Sequence, residues 1–154
     1  MSATESVRVL TKSELARYVR ARIASHLYYT TPDTARAAAI YTLSDPRDVA
    51  DARYVGQTSA PRRRFLQHLA AARLWLPGET PWWIRSEKYR PLYAWIRDLF
   101  ADDRRLPVMV VRCWVEDTRD ARAAERALIR DCRIEHRALL NVENEASGPQ
   151  IPLL

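Results

Sequence analysis

The chain has 154 residues, of which 47% are hydrophobic and 29% charged, a composition typical of one globular domain rather than of a disordered segment. Its 3 glycines lie too far apart for a G-x-G-x-x-G or Walker A loop, which excludes the usual phosphate-binding loops of nucleotide enzymes. No apolar run is long enough to span a bilayer, and the first residues do not resemble a secretory signal. We therefore expect a cytoplasmic protein without membrane contact.

The net charge of +6 comes almost wholly from arginine, because Lys12 and Lys88 are the only lysines. Arginine suits bidentate contact with phosphate, and a basic chain favours a polyanionic partner. A genomic bias toward arginine would produce the same composition, so the charge alone only modestly favours nucleic acid as the partner. Cys113 and Cys132 form no Cys-x-x-Cys pair and lie in separate predicted elements, which predicts two reduced core thiols rather than a zinc site.

The first part of the chain predicts a helix followed by a hairpin. Thr11 and Glu14 have the spacing of a capping box, and apolar residues recur at helical spacing behind them, so we expect a helix over 12–28. Two β-prone runs, 36–43 and 53–58, flank a polar loop. This arrangement predicts a pair of hairpin strands.

The second part of the chain predicts more helix than strand. A helix capped by Thr58 or Ser59, with Pro61 in its first turn, is expected to run to about residue 74. The remaining segments are, in order, an irregular stretch over 75–88, a helix that begins near Pro91, a strand over 107–114, a helix over about 120–137, a short extended piece over 139–142 and a loose tail after Glu143. This order predicts a small α/β domain with few strands.

Glu125 is the most informative single residue of the sequence. The late helix places it on the same side as Leu128, Ile129 and Cys132, so its carboxylate projects from the apolar face. A buried carboxylate must be paired with arginine, protonated or bound to a cation. A structural salt bridge and a metal site are therefore equal alternatives at this point.

Arg64 and His68 are spaced i, i+4 and share one face of the second helix, off the centre of its apolar stripe. They can present a cation and a titratable imidazole to one ligand, although a solvated basic face is the more usual interpretation of such a pair. Arg62 and Arg63 add positive charge, but their spacing does not indicate a site. They either steer a phosphate toward the protein or are simply solvated.

Tyr41 and Tyr54 occupy corresponding points of the two hairpin strands, and we expect them to face each other across the ladder. Strand tyrosines usually serve packing, so this pair indicates no function by itself. Trp82 and Trp83 lie in the irregular stretch, where they either stack on nucleic-acid bases or cover the core.

Several of these residues follow one another at characteristic spacings over residues 39–141. They are Ala39-Ile40-Tyr41 in place of Gly-Ile-Tyr, Tyr54-Val55-Gly56 in place of Tyr-Ile-Gly, Arg64 ten positions after the second tyrosine, His68 four positions later, Glu125 in a late helix, and Asn141. Together they resemble the signature of the GIY-YIG nuclease superfamily. Ala39 replaces the first glycine of that signature, and Gln57 stands where some relatives carry a lysine.

The resemblance implies an α/β (α+β) domain over 36–143, with a small, three-stranded, mostly antiparallel sheet flanked by helices. Residues 1–35 would then be an N-terminal helical extension, and residues 144–154 a C-terminal tail. The implied activity is that of an endonuclease that hydrolyses DNA phosphodiester bonds. Its cofactor would be a divalent metal ion, Mg²⁺ or Mn²⁺, held by Glu125.

The same resemblance implies a role for each remaining match. Arg64 would clamp the scissile phosphate. Tyr41 or Tyr54 would deprotonate or orient the attacking water, helped by nearby positive charge because an unperturbed tyrosine titrates near ~10. His68 would position water or shuttle a proton, and Asn141 would donate a hydrogen bond that braces the site.

The implied partner is DNA, expected to be double-stranded. The candidate contacts with nucleic acid are Gln57, Arg62, Arg63, Trp82 and Trp83. No separate DNA-reading module is evident, so specificity would come from the N-terminal helix and the 75–88 loop, from a homodimer or from a protein partner. Two other classes of function stay open: an inactive nucleic-acid-binding module of the same fold, and a basic α/β domain that binds protein.

Overall fold

A four-stranded sheet forms the centre of the fold in a computed structural model, which describes residues 9–30, 38–76, 89–135 and 139–141. The strands are β1 (Leu27–Tyr29), β2 (Ala38–Asp45), β3 (Asp48–Thr58) and β4 (Val108–Val115), in the order β1-β4-β2-β3. Strand β2 is antiparallel to both of its neighbours, and β1 runs parallel to β4. The fold is mixed α and β, as expected, but the expectation of three strands is wrong.

Strand β1 is the element that the sequence pattern concealed. The helix expected over 12–28 ends at Arg22, and a 3₁₀ turn follows over Ile23–Ser25. Leu27–Tyr29 then pairs with residues 109–111 of β4. Because Ile23 and Leu27 continue the helical spacing of apolar residues, a strand of 3 residues at this point is indistinguishable from another helical turn.

Four helices flank the sheet in the described part of the chain. They are α1 (Lys12–Arg22), α2 (Pro61–Ala71), α3 (Arg90–Ala101) and α4 (Thr118–Glu135). The predicted capping box of α1 is confirmed, because the Glu14 N–H donates to the Thr11 hydroxyl at 3.1 Å and the Thr11 N–H donates to the Glu14 carboxylate at 3.0 Å. The cap predicted for α2 is wrong: Ala60 precedes the helix without a side-chain cap, and the Thr58 hydroxyl accepts from the Ala60 N–H.

Helices cover both faces of the sheet. The alternation of strand residues places Tyr41 and Tyr54 on one face, the tyrosine face, which packs against α1, α2 and α3. Ile40 and Val55 point to the opposite face, where they pack against Ala121 and its neighbours on α4. Two separate apolar clusters therefore hold the sheet, and helix α4 lies across the sheet from α2.

The described part of the N-terminal segment belongs to the same core. Leu15 and Val19 of α1 are buried among the residues of the tyrosine face, and β1 adds a strand to the sheet. The segment expected to be an extension over 1–35 therefore supplies both a helix and a strand to the domain. The tail expected over 144–154 lies outside the described residues.

The two cysteines occupy positions typical of core thiols. Cys113 is half-buried, Cys132 is buried, and neither forms a disulfide, which agrees with the expectation from the sequence. Among the helices of the described ranges, none has the length and apolar character that crossing a bilayer requires.

Candidate active site

The β2–β3 hairpin brings the two signature tyrosines together on the tyrosine face. Their ring centroids lie 6.4 Å apart. They are diagonal neighbours rather than the directly opposed pair that we expected, because Tyr41 is paired with Gly56 and Tyr54 with Leu43. Both rings are buried, with 1% of Tyr41 and 6% of Tyr54 exposed.

Gly56 is required by the position of the Tyr41 ring. A Cβ atom added at Gly56 would overlap Cζ and Oη of Tyr41, which lies across the strand. The glycine therefore serves close approach of a side chain to the backbone. Gly56 thus makes room for the phenol of Tyr41.

His68 lies at the centre of the cluster. Its Nε2 is 2.7 Å from the phenolic oxygen of Tyr41, and its ring centroid is 5.8 Å from that of Tyr54. The expected position off the apolar stripe is wrong, because the side chain is 0% exposed. Burial, and secondly the Arg64 charge, lowers the pKa of His68 to about 3. The imidazole is therefore neutral near pH 7, and its buried Nδ1 has no hydrogen-bond partner among the described residues.

Arg64 lies half-buried one helical turn before His68. Burial opposes its charge, but the nearby phenols of Tyr41, Tyr89 and Tyr93 together outweigh that effect and raise the pKa of the guanidinium. The guanidinium carbon lies 5.7 Å from the centroid of Tyr89, within the range of a cation–π contact. The Arg64 guanidinium therefore lies beside the aromatic rings of the cluster.

Positive charge does not make the tyrosines acidic in this arrangement. Burial raises the pKa of Tyr41 above its ordinary value of 10.0, and Arg64 offsets only part of that rise. Burial likewise raises the pKa of Tyr54, with a further increase from Tyr41. Because His68 is neutral, it adds no charge that would stabilise a phenolate. Both phenols are therefore protonated near neutral pH and suit orientation of a water better than removal of its proton.

Glu125 is linked electrostatically to the same cluster from α4. Its side chain is half-buried, and its carboxylate contributes to raising the pKa of both Tyr41 and Tyr54. No group of three or more His, Cys, Asp or Glu side chains able to hold a metal occurs in the described residues. A single carboxylate fits Mg²⁺ or Mn²⁺, which bind through one or two carboxylates and keep several waters, and it does not fit a structural zinc ion.

Asn141 binds the outer edge of β3. Its Oδ1 accepts from the Val55 N–H at 2.9 Å, and its Nδ2 donates to the Val55 carbonyl at 2.8 Å. The adjacent Leu140 N–H donates to the Arg53 carbonyl, and the guanidinium of Arg133 donates to the Asn141 carbonyl at 2.8 Å. Asn141 therefore satisfies the edge-strand backbone between Tyr54 and Gly56.

Two site residues were missed by the sequence analysis. Tyr89 and Tyr93 lie at the start of α3, and their rings stack with centroids 5.9 Å apart. The Tyr93 ring also lies 6.2 Å from that of His68. The available signal was their i, i+4 spacing around Pro91, which places both rings on one face of the helix.

The proposed nucleic-acid contacts do not gather at this cluster. Gln57 pairs with Ile40 and alternates to the face opposite the tyrosines. Arg62 lines a groove of about 300 Å³ between α1 and α2, and Arg63 is exposed. The predicted pair Trp82 and Trp83 lies outside the described residues.

Comparison of the chain with protein-family models, with curated proteins and with solved structures finds no match.

Proposed function

We propose that this protein is a metal-dependent endonuclease that hydrolyses DNA phosphodiester bonds with a GIY-YIG-type site. One observation carries the proposal: Tyr41, Tyr54 and His68 come from three separate elements and form one continuous cluster, which the rings of Tyr93 and Tyr89 connect to the Arg64 guanidinium. Glu125, on a helix across the sheet, adds a negative charge to the same electrostatic environment.

Arg64 neutralises the scissile phosphate in this proposal. Its guanidinium stays charged at any working pH and presents paired donors that match phosphoryl oxygens. A half-buried position strengthens this interaction, because less water screens it. Arg64 is thus the residue that stabilises charge developing in the transition state.

Tyr41 orients the attacking water, and His68 holds the phenol in place. The Tyr41 ring is confined by Gly56 below and by the His68 hydrogen bond at its oxygen. A phenol held in this way presents its oxygen in one direction only, which is the requirement for a near-attack arrangement. The neutral His68 therefore acts on Tyr41 rather than as a charged proton shuttle.

Glu125 is the residue that would hold Mg²⁺ or Mn²⁺. When bound, such an ion supplies Lewis-acid activation and charge neutralisation at the phosphoryl group. Asn141 supports the site indirectly by holding the backbone of Val55, which lies between Tyr54 and Gly56.

A plasmid-nicking assay with Mg²⁺, Mn²⁺ or EDTA tests the proposal. Wild-type protein is expected to convert supercoiled DNA only with a metal, and Glu125→Gln is expected to lose that conversion. Asp131→Asn is the matched control, because Asp131 is exposed on the same helix. Failure of a folded wild type to cut double-stranded DNA, single-stranded DNA or RNA contradicts the proposal, as does full activity of Glu125→Gln.

The alternative function is a nucleic-acid-binding module of the same fold without catalysis. Its specific support is the depth of the cluster, since Tyr41 and His68 are 1% and 0% exposed. A fluorescence anisotropy titration with labelled duplex DNA distinguishes the two. Binding that is independent of metal, together with no cleavage, supports the binding module.

A further inference from the structure

Helices α2 and α3 meet at the candidate site through matching i, i+4 positions. The guanidinium carbon of Arg64 lies 5.7 Å from the centroid of the Tyr89 ring. One turn further along each helix, the ring of His68 lies 6.2 Å from that of Tyr93. Each α2 residue of the site therefore has its own aromatic neighbour on α3.

The pairing extends for one more turn, where it anchors α3 to the end of α2. Arg97, which is 7% exposed, donates from Nη1 to the carbonyls of Ala72 and Arg73 at 3.0 and 2.7 Å. Its Nη2 donates to the Leu76 carbonyl at 3.0 Å. These carbonyls belong to the C-cap of α2 and to the turn that follows it, so the buried cation holds that turn against α3. The register between the two helices is therefore held firmly at this end.

We propose that Tyr89 and Tyr93 are positioning residues that hold Arg64 and His68 toward Tyr41. The Tyr89 ring limits the directions in which the long Arg64 side chain can point, because the guanidinium carbon lies 5.7 Å from its centroid. The Tyr93 ring packs beside the imidazole of His68, with their centroids 6.2 Å apart, and limits the directions in which it can turn. The consequences for cleavage rest on the proposed function, whereas those for side-chain geometry do not.

Ring and hydroxyl contributions of Tyr89 are separated by comparing Tyr89→Phe with Tyr89→Leu. Tyr28→Leu is the matched control, because Tyr28 is 47% exposed on β1. In protein labelled at arginine, the side-chain proton resonances of Arg64, assigned with Arg64→Lys, are expected to show an upfield ring-current shift. Tyr89→Phe should retain that shift, and Tyr89→Leu should lose it.

The corresponding pair of variants, Tyr93→Leu and Tyr93→Phe, tests the role of Tyr93. Tyr93→Leu is expected to move the imidazole resonances of His68, and Tyr93→Phe should leave them close to their wild-type positions. If either leucine variant fails to fold, the methionine variant of the same residue replaces it, because a flexible apolar side chain fills irregular gaps.

Kinetics supply a second, independent readout. Tyr89→Leu is expected to lower kcat about tenfold with little change in KM, and Tyr89→Phe to restore most of it. Absence of cleavage in the wild type counts against the proposed function only, because the resonance shifts still report the geometry. An Arg64 shift that is identical in wild type and Tyr89→Leu overturns the positioning role, as does equal loss of kcat in the leucine and phenylalanine variants.

Discussion

The phenolic oxygen of Tyr41 lies 2.7 Å from Nε2 of His68, and this hydrogen bond joins the central strand β2 to helix α2 inside the core. A buried polar contact of this kind is worth more than its surface equivalent, because neither partner has water as an alternative. It also makes the two residues one unit. Loss of either partner leaves a buried polar atom without its hydrogen bond.

The buried histidine predicts a particular dependence of stability on pH. The pKa of His68 is about 3 in the folded protein against 6.5 for an ordinary histidine. Below about pH 6.5 the unfolded chain takes up a proton that the folded protein refuses, so the free energy of unfolding falls as pH drops toward about 3. Above pH 6.5 both states are neutral at this residue, and its contribution no longer changes.

Urea unfolding near neutral pH and at about pH 4.5 measures this effect. His68→Gln keeps a hydrogen-bonding group but does not titrate, so its stability should decline less over the same interval. His26→Gln serves as the control, because it retains His68 and should follow the wild-type curve. Equal declines for wild type and His68→Gln would show that other groups carry the pH dependence.

Removal of the Arg64 guanidinium should affect activity far more than stability. Under the proposed function, Arg64→Ala should lower kcat by roughly 100-fold to 1000-fold, the loss typical of a transition-state charge stabiliser. Arg64→Lys keeps the charge but not the planar fork, so its activity should lie in between. Thermal unfolding should change little, because the side chain is only half-buried.

The exposed neighbour Arg63 supplies the control for this prediction. Arg63→Ala removes the same charge from the same helix without touching the cluster, so it should retain cleavage at low salt. A cleavage loss that is equal for Arg63→Ala and Arg64→Ala would attribute the effect to general electrostatic attraction of DNA rather than to the site.

Spacing alone predicts two local pairs, the tyrosines of the hairpin and the Arg64–His68 pair on one helix face, and the resemblance implies that the two pairs share one site. The structure brings Tyr41, Tyr54 and His68 together, because the hairpin and the helix that follows it are neighbours along the chain. Register was not readable in the same way. The structure pairs Tyr41 with Gly56 rather than with Tyr54. This register depends on where the hairpin turns, and the turn differs from the expected loop.

Two features that sequence reasoning missed, strand β1 and the burial of His68, are non-local. Strand β1 forms because it pairs with the edge of β4, and a strand of 3 residues shows no hydrophobic periodicity of its own. The ring of His68 packs beside Tyr93, which comes from a helix beyond the irregular stretch. Periodicity within one helix cannot report a neighbour supplied by another, so the sequence places His68 off the centre of the apolar stripe, although the structure buries it.

The close approach of the Tyr41 ring predicts a sharp cost for a small substitution. In Gly56→Ala, the new Cβ overlaps the phenol, so either the ring or the strand must move. We expect a loss of about 1–3 kcal/mol in the free energy of unfolding, together with loss of cleavage under the proposed function. Circular dichroism melts and urea titration measure the first effect.

A double-mutant cycle identifies the cause of that loss. In a Tyr41→Ala background the space above Gly56 is open, so adding Gly56→Ala should cost almost nothing. Additive effects of the two substitutions would mean that the glycine is needed for its backbone freedom instead.

Asn141 predicts a local effect on the edge of the sheet. Asn141→Ala removes both the acceptor for the Val55 N–H and the donor to the Val55 carbonyl, which should cost about 1–3 kcal/mol of stability. Hydrogen exchange of the Val55 amide should accelerate, while the Thr42 amide, across the ladder in β2, should stay protected.

Asn141→Asp keeps an acceptor and loses the donor, so at neutral pH it should restore part of the Val55 protection but little of the stability. Uniform acceleration across both strands would mean instead that the whole hairpin opens when Asn141 is lost. In that case Asn141 would hold the fold as a whole rather than the single stretch of backbone between Tyr54 and Gly56.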